Sequence, residues 1–148
     1  MKNKLVVLLM FAAICAVLSQ SCQNESQLTY ARYYTNGKQL YDKHCQNCHN
    51  SDGMGLKALY PPLNDTAFLR KNRDKLACII KHGLKDTITI NGMTFTEPMP
   101  ANHDLTDIDI AALITYITNT FGNKQGLYDV SSAGSHLKGC QDVDEHKQ

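Results

Sequence analysis

Cys45-Gln46-Asn47-Cys48-His49 is the stretch on which the reading of this chain turns. Two thiols three positions apart sit about one helical turn from each other. At that spacing they can add to the two vinyl groups along one edge of a haem. The next residue, His49, is then held against the haem face and can bind iron. Other chemistries also use paired cysteines. A thioredoxin-type redox pair opens a helix after a strand, whereas Cys45 ends an amphipathic helical segment. A zinc knuckle needs a second ligand pair at similar spacing, and the sequence has none. A structural disulfide would leave His49 without a role. Covalent haem attachment uses all three residues. It also supplies a flat apolar core that an aromatic content of 7% could not supply alone.

Upstream of this site, Tyr30, Tyr33, Tyr34, Gly37, Tyr41 and His44 recur at three- and four-residue steps. That spacing predicts a helix over 29–44 with these residues on one face. Gly37 costs about 1 kcal/mol relative to Ala inside a helix, and it suits a place where another backbone must come close.

The N-terminus reads as a targeting segment. Lys2 and Lys4 form a basic start, and 5–18 is an almost unbroken apolar run. That run is shorter than the roughly 20 residues a bilayer span needs, but it matches a signal-peptide core. Ser19-Gln20-Ser21-Cys22 follows. Either the chain is cut near Ser21 with Cys22 left as a spare thiol, or it is cut before Cys22, which is then acylated. The context resembles a relaxed bacterial lipoprotein box of the kind some Gram-negative groups accept. Leu18 lies four positions before the cysteine instead of three, and Gln20 is unusual at its position. Cys15 fits worse, because Ile14 precedes it where a small residue is needed. The expectation is a signal peptide at 1–21 and a polar tether at 22–29, lipidated at Cys22. It places the mature protein in the periplasm on a bacterial membrane, where thiols oxidise.

The formal net charge is +1 for 148 residues, and loss of Lys2 and Lys4 takes Lys+Arg from 15 to 13 against 14 Asp+Glu. No strong field of either sign is available, which excludes nucleic acid as a partner. The length allows one domain and little more.

Downstream, Gly53, Gly55, Pro61 and Pro62 punctuate 50–65 as a loop. Short helices are expected over 66–71 and 74–82, the second stopped by Gly83. Weak alternation around an Asn91-Gly92 turn predicts a small hairpin within 85–96. Glu97-Pro98-Met99-Pro100 is an extended turn, because its prolines fix it. Thr106 can cap a helix whose first turn holds Asp107 and Asp109. Its apolar stripe is Ile110, Leu113, Ile114, Ile117 and Phe121, and Gly122 supplies the stop. After Asn123 the signal fades. One further helical stretch is expected over 131–139 with Leu137 packing down, and 142–148 reads as a charged tail that frays. There is no internal repeat. The chain thus divides into a haem domain at 30–123 and a C-terminal extension at 124–148.

With His49 on one face of the iron, the opposite ligand must be another soft or nitrogen donor. Met54, Met93, Met99, His82 and His103 are the candidates. Met99 is the best of them. Pro98 and Pro100 stiffen its backbone, so little entropy is lost in holding the thioether in place. Met93, just after the Asn91-Gly92 turn, is the rival. The histidines 44, 82 and 103 read as surface residues, and His136 and His146 lie in the weakly structured end. A thioether favours ferrous iron, so a His/Met pair raises the reduction potential relative to His/His. With both axial positions filled, iron need not bind a substrate, which argues for a carrier over a catalyst.

These residues resemble a class I cytochrome c over roughly 30–123. Gly37 and Tyr41 precede Cys45 by eight and four positions, as in that family's first helix. The resemblance implies an all-α fold, three to five helices around one covalent haem c, with the first and last helices crossing at the glycine. Leu113, Tyr116 and Ile117 would be the other side of that contact. Pro61-Pro62-Leu63 resembles the family's Pro-x-Leu, which makes the Pro61 carbonyl the acceptor of the His49 Nδ1–H and so orients the ring. His82-Gly83-Leu84, Ile90-Asn91-Gly92, Met99-Pro100 and Leu105-Thr106-Asp107 are closer to the single-haem domains of bacterial respiratory chains. That likeness supports Met99 over Met93. Glu97-Pro98 before the ligand departs from the pattern, and so does a further cysteine pair.

That pair is Cys78 and Cys140, the thiols left once Cys45, Cys48 and Cys22 are assigned. In an oxidising compartment they are expected to bond, tying 74–82 to the extension. The functional expectation is a periplasmic, lipid-anchored one-electron carrier, monomeric or in weak transient complexes. Its partners would be membrane dehydrogenases, reductases or terminal oxidases. The alternatives are a fixed cytochrome subunit of a multi-subunit oxidoreductase, or a haem gas sensor or peroxidase-like enzyme with a labile sixth ligand.

Overall fold

No glycine or proline interrupts the chain before Gly37. In a computed structural model, which describes residues 2–144, this stretch and its continuation form one helix, α1 (Lys2–His44). The helix therefore extends N-terminally beyond the expected 29–44. Residues 22–29, expected as a tether, are helical because Gln, Glu, Ser and Leu there carry no breaker. The side chain of Cys22 lies outside the described residues. The chain divides into two compact units, Met1–Ala31 and Arg32–Gln148. In the first, Val6 to Phe11 and Ile14 are exposed. Among the described residues no helix is long and apolar enough to cross a membrane.

The second unit carries the rest of α1, then α2 (Gln46–His49), α3 (Thr66–Lys71), α4 (Leu76–His82), β1 (Ile88–Ile90), β2 (Met93–Phe95), α5 (Asp107–Ile117) and α6 (Val130–Asp144). Its described residues are all-α apart from one antiparallel hairpin, in which Ile88 faces Phe95 and Ile90 faces Met93. Asn91 and Gly92 both have positive φ, 51° and 76°, as a two-residue primed turn requires. Asp65 caps α3 by accepting from the Phe68 amide at 2.9 Å. Thr106 and Asp109 form a reciprocal capping box at the start of α5.

α5 ends at Ile117, short of the Gly122 stop expected from the apolar stripe. Thr118 Oγ1 donates to the Ile114 carbonyl at 2.6 Å and Thr120 Oγ1 to that of Tyr116 at 2.7 Å. Asn119 Nδ2 donates to the Thr115 carbonyl at 2.7 Å. Side chains that bond back to the backbone in this way compete with helix continuation. Phe121 then turns through φ 57° and packs on Tyr41 and Tyr116 from outside the helix.

Every residue of α5 from Ile110 to Ile117 is buried. α1 lies on one side: Gly37 abuts Ala112 and Tyr116, and the Tyr34 and Tyr41 rings sit 5.2 and 5.4 Å from that of Tyr116. α4 and α6 cover the others. The stretch after Asn123 thus packs into the same core. Tyr128 is 2% exposed, and its backbone exchanges two hydrogen bonds with the buried Thr115 hydroxyl, at 3.0 and 3.1 Å. The Arg73 guanidinium lies 5.3 Å over the Tyr128 ring and donates to the Leu127 carbonyl at 3.0 Å. Cys78 of α4 and Cys140 of α6 form a disulfide with Cα atoms 5.7 Å apart. Helix α6 reaches Asp144, and the end of the expected fraying tail, 145–148, lies outside the described residues.

A methyl group at position 37 would overlap the Ala112 carbonyl. Gly37→Ala is therefore expected to lower stability by about 1–3 kcal/mol, read as a lower urea midpoint at unchanged slope. An unchanged midpoint would mean that α1 and α5 do not meet there. The disulfide joins positions 62 residues apart in the chain. Cys78→Ser with Cys140→Ser is expected to cost up to about 4 kcal/mol. In unreduced wild type neither thiol should react with an alkylating agent, and two reactive thiols would refute the bond.

Candidate haem site

The end of α1 hands the chain directly to the site. The Cys45 amide donates to the Tyr41 carbonyl at 2.9 Å, and Cys45 N-caps the single turn of α2. The Cys48 and His49 amides both donate back to the Cys45 carbonyl, at 3.1 and 2.9 Å. One turn of chain therefore carries both thiols and the imidazole, and all three face one cavity of about 1020 Å³, its mouth included. The walls are apolar and come from most of the second unit: Tyr41 of α1, Leu69 of α3, Ile80 of α4, Phe95 of β2, Leu113 and Ile117 of α5. Asp86 and Glu97, both exposed, are the carboxylates that reach it.

The loop 50–63 fixes the imidazole. His49 Nδ1 lies 3.0 Å from the Pro61 carbonyl oxygen. A carbonyl only accepts, so Nδ1 bears the hydrogen and Nε2 keeps its lone pair. Burial holds the His49 pKa below its ordinary value, and the Pro61 contact opposes that shift without reversing it. Burial, helped by the neighbouring Cys48, pushes the Cys45 thiol up to about 12. Thioether formation would remove that buried ionisable group altogether.

Asn50 and Gly55 hold this loop, and so does the Tyr41 hydroxyl; none of the three has that role in the sequence reading above. Asn50, at φ 60°, turns the chain out of α2, and its side-chain amide donates to the Gly55 carbonyl. The Tyr41 hydroxyl donates to the Asn50 carbonyl at 2.5 Å. Gly55, at φ 65°, passes so close to the Tyr60 and Pro61 carbonyls that a Cβ would overlap them. The paired glycines 53 and 55 mark the loop in the sequence, but nothing local shows which carbonyl each glycine lets approach.

Of the other candidate donors, Met99 lines the cavity and the rest do not. Its backbone is held by two hydrogen bonds to Leu84, 2.9 and 3.0 Å. Met93 is 46% exposed on the hairpin, and Met54 is 52% exposed in the loop. His82 and His103 are exposed, with rings 6.3 Å apart. Among the described residues no three His, Cys, Asp or Glu side chains converge to hold a metal ion, as a zinc knuckle would require. The donor set at the cavity is a neutral imidazole with a free nitrogen, a thioether and two adjacent thiols. That set inside apolar walls fits a covalently attached haem.

Comparison with known proteins points the same way. Residues 34–121, more than half of the chain, match the cytochrome c family. The chain is 30% identical over 91 residues to cytochrome c-552 of Thermus thermophilus, covering 59% of this chain and 69% of that protein. For the cytochrome c-552 of a second Thermus thermophilus strain the identity is again 30%, and the match covers 61% of that protein. It is 35% identical over 96 residues to the fructose dehydrogenase cytochrome subunit of Gluconobacter japonicus, covering 62% of this chain but only 20% of that longer protein. The chain belongs to the cytochrome c family and carries covalent haem c.

Proposed function

We propose that this protein is an exported one-electron carrier with a single haem c. Cys45 and Cys48 hold the haem, and His49 and Met99 ligate its iron. Lipid on Cys22 anchors the chain to the membrane. The observation that carries the reading is the convergence of the first four of these side chains on one apolar cavity. Bound haem supplies a one-electron ferric/ferrous couple. The protein's own part is positional. The Pro61 carbonyl keeps His49 in the tautomer that offers Nε2 to the metal. Met99 offers a neutral soft sulfur that favours the reduced state. The apolar walls exclude water, so little has to rearrange when the charge changes. Weak, brief contacts suit a shuttle between membrane dehydrogenases, reductases or terminal oxidases. A lipid anchor raises the local concentration of the carrier at those complexes.

A second reading is favoured by one observation, the likeness to a cytochrome subunit of fructose dehydrogenase. A fixed subunit would use the same cavity and differ in permanence.

Two experiments test these readings. The ferric wild type should show a weak red charge-transfer band, and the ferrous form should not bind carbon monoxide. Met99→Ala should lose the band, bind carbon monoxide and fall in reduction potential. If the wild type lacks the band and takes up carbon monoxide, Met99 is not a firm ligand and a sensor or peroxidase-like enzyme becomes the better reading. For the anchor, Cys22→Ala should abolish fatty-acid labelling and move the protein from the membrane to the soluble fraction. Extracted wild type should travel alone in mild detergent, whereas a stable large complex would select the subunit reading.

A further inference from the structure

We infer that the C-terminal end of α4 clamps Met99 toward the iron, and that Gly83 is the positioning residue of this clamp. The inference rests on Met99 being the axial ligand.

Met99 lies in an irregular strap over 97–102, and prolines on both sides remove two backbone donors. Such a strap cannot hold itself by a ladder of its own. The backbones of Met99 and Asn102 instead bond to α4 and the residues just after it. Met99 donates its amide to the Leu84 carbonyl at 2.9 Å, and Leu84 donates back to the Met99 carbonyl at 3.0 Å. The Asn102 amide donates to the Ile80 and Lys81 carbonyls, both at 3.2 Å, and Asn102 Nδ2 also reaches that of Ile80 at 3.2 Å. From α4, Lys81 Nζ donates to the His103 and Leu105 carbonyls, at 2.8 and 2.6 Å.

A helix leaves its last carbonyls without intrahelical partners. Many helices satisfy them by curling back through a left-handed glycine. Gly83 does not do this. At φ 80° and ψ −176° it sends the chain out extended, in a region essentially closed to other residues. The exposed carbonyls of α4 then accept from the strap. Gly83 is also needed for space: a Cβ there would lie 2.5 Å from the Met99 carbonyl oxygen and 3.0 Å from the Ala101 nitrogen. One residue thus both opens the helix end to the strap and lets the Met99 backbone lie directly against it.

The clamp stands on a firm base. Leu76, Ile79 and Ile80 of α4 line the cavity, and Cys78 ties the helix to α6. The thioether is therefore referenced to α4 and the core it packs in and not to the hairpin that precedes it.

The test compares holoproteins of wild type, Gly83→Ala, Gly92→Ala, Asn102→Asp and Met99→Ala. The readouts are the ferric charge-transfer band, carbon monoxide uptake by the ferrous form and the reduction potential, with far-ultraviolet circular dichroism as the check on folding. Gly92 also has positive φ, 76°, but nothing lies within 4 Å of its would-be Cβ, so it controls for adding a side chain at a positive-φ glycine away from the strap. Gly83→Ala is expected to lose the band, take up carbon monoxide and fall in potential while the haem stays attached. Gly92→Ala should keep the band. Asn102→Asp replaces the side-chain amide that donates to the Ile80 carbonyl at 3.2 Å and to that of Pro100 at 3.5 Å with a carboxylate facing carbonyls, and should weaken the band without crowding the strap. A folded Gly83→Ala with wild-type band and potential overturns the clamp. If Gly83→Ala does not fold, an unchanged band in Asn102→Asp overturns it instead. A band that survives in Met99→Ala would show that the ligand assignment itself is wrong.

Discussion

A chain with 7% aromatic residues has to wall an apolar cavity that opens to solvent, and this constraint governs the second unit. Protein interiors are close-packed, and unfilled space in a core costs stability. A flat apolar group filling this cavity is therefore core as much as cofactor. Each element from α1 to α5, the hairpin included, contributes to its walls. The covalent links follow from the same constraint. Thioethers at Cys45 and Cys48 would keep the largest core component from dissociating, and would remove a thiol that burial otherwise pushes up to about 12.

Once the cavity dominates, the chain's irregular parts acquire a common logic. The loop 50–63 and the strap 97–102 both have to bring a backbone or side chain to a defined place without a sheet or helix of their own. Each borrows hydrogen-bonding groups from a nearby helix end. The loop is fixed by the Tyr41 hydroxyl on Asn50 and by the Gly55 amide on the His49 carbonyl, 3.0 Å. The strap is fixed by the carbonyls at the end of α4. At both places a glycine with positive φ removes the Cβ that would block the approach, Gly55 against Pro61 and Gly83 against Met99. The two parts of the cavity wall that carry His49 and Met99 are thus built by the same device.

Much of this was legible in the sequence, and the reasons are specific. Cys45, Cys48 and His49 are adjacent, so their chemistry needs no tertiary information. The hairpin was legible because Asn91-Gly92 suits both positive-φ positions of the turn. The start of α5 was legible because Thr106 is a capping residue followed by Asp107 and Asp109 in the first turn, and the structure adds that Thr106 and Asp109 cap reciprocally. Its end was not. The apolar stripe runs on to Phe121, while Thr118, Asn119 and Thr120 bond back to the carbonyls of the last turn and stop the helix earlier. Periodicity cannot report that competition. Asn50 and Gly55 were missed for a related reason, because their roles depend on groups brought together by the fold.

The extension after Asn123 is the most instructive case. Its own pattern is weak, since α6 mixes Ser, Gly, Lys and Asp with few apolar residues. The stronger signal lay elsewhere. Ile110-Ala111-Ala112-Leu113-Ile114-Thr115-Tyr116-Ile117 has no polar face, and a helix apolar all round must be covered all round. α1 and the cavity account for two sides. A third cover was therefore demanded by α5, and the chain after Asn123 was the remaining material to provide it. Tyr128 and Ala133 supply that cover, and the disulfide ties it to α4. A weakly patterned segment can thus be required by a strongly patterned one. In this protein the requirement binds the C-terminal extension to α4, the same helix whose far end holds Met99.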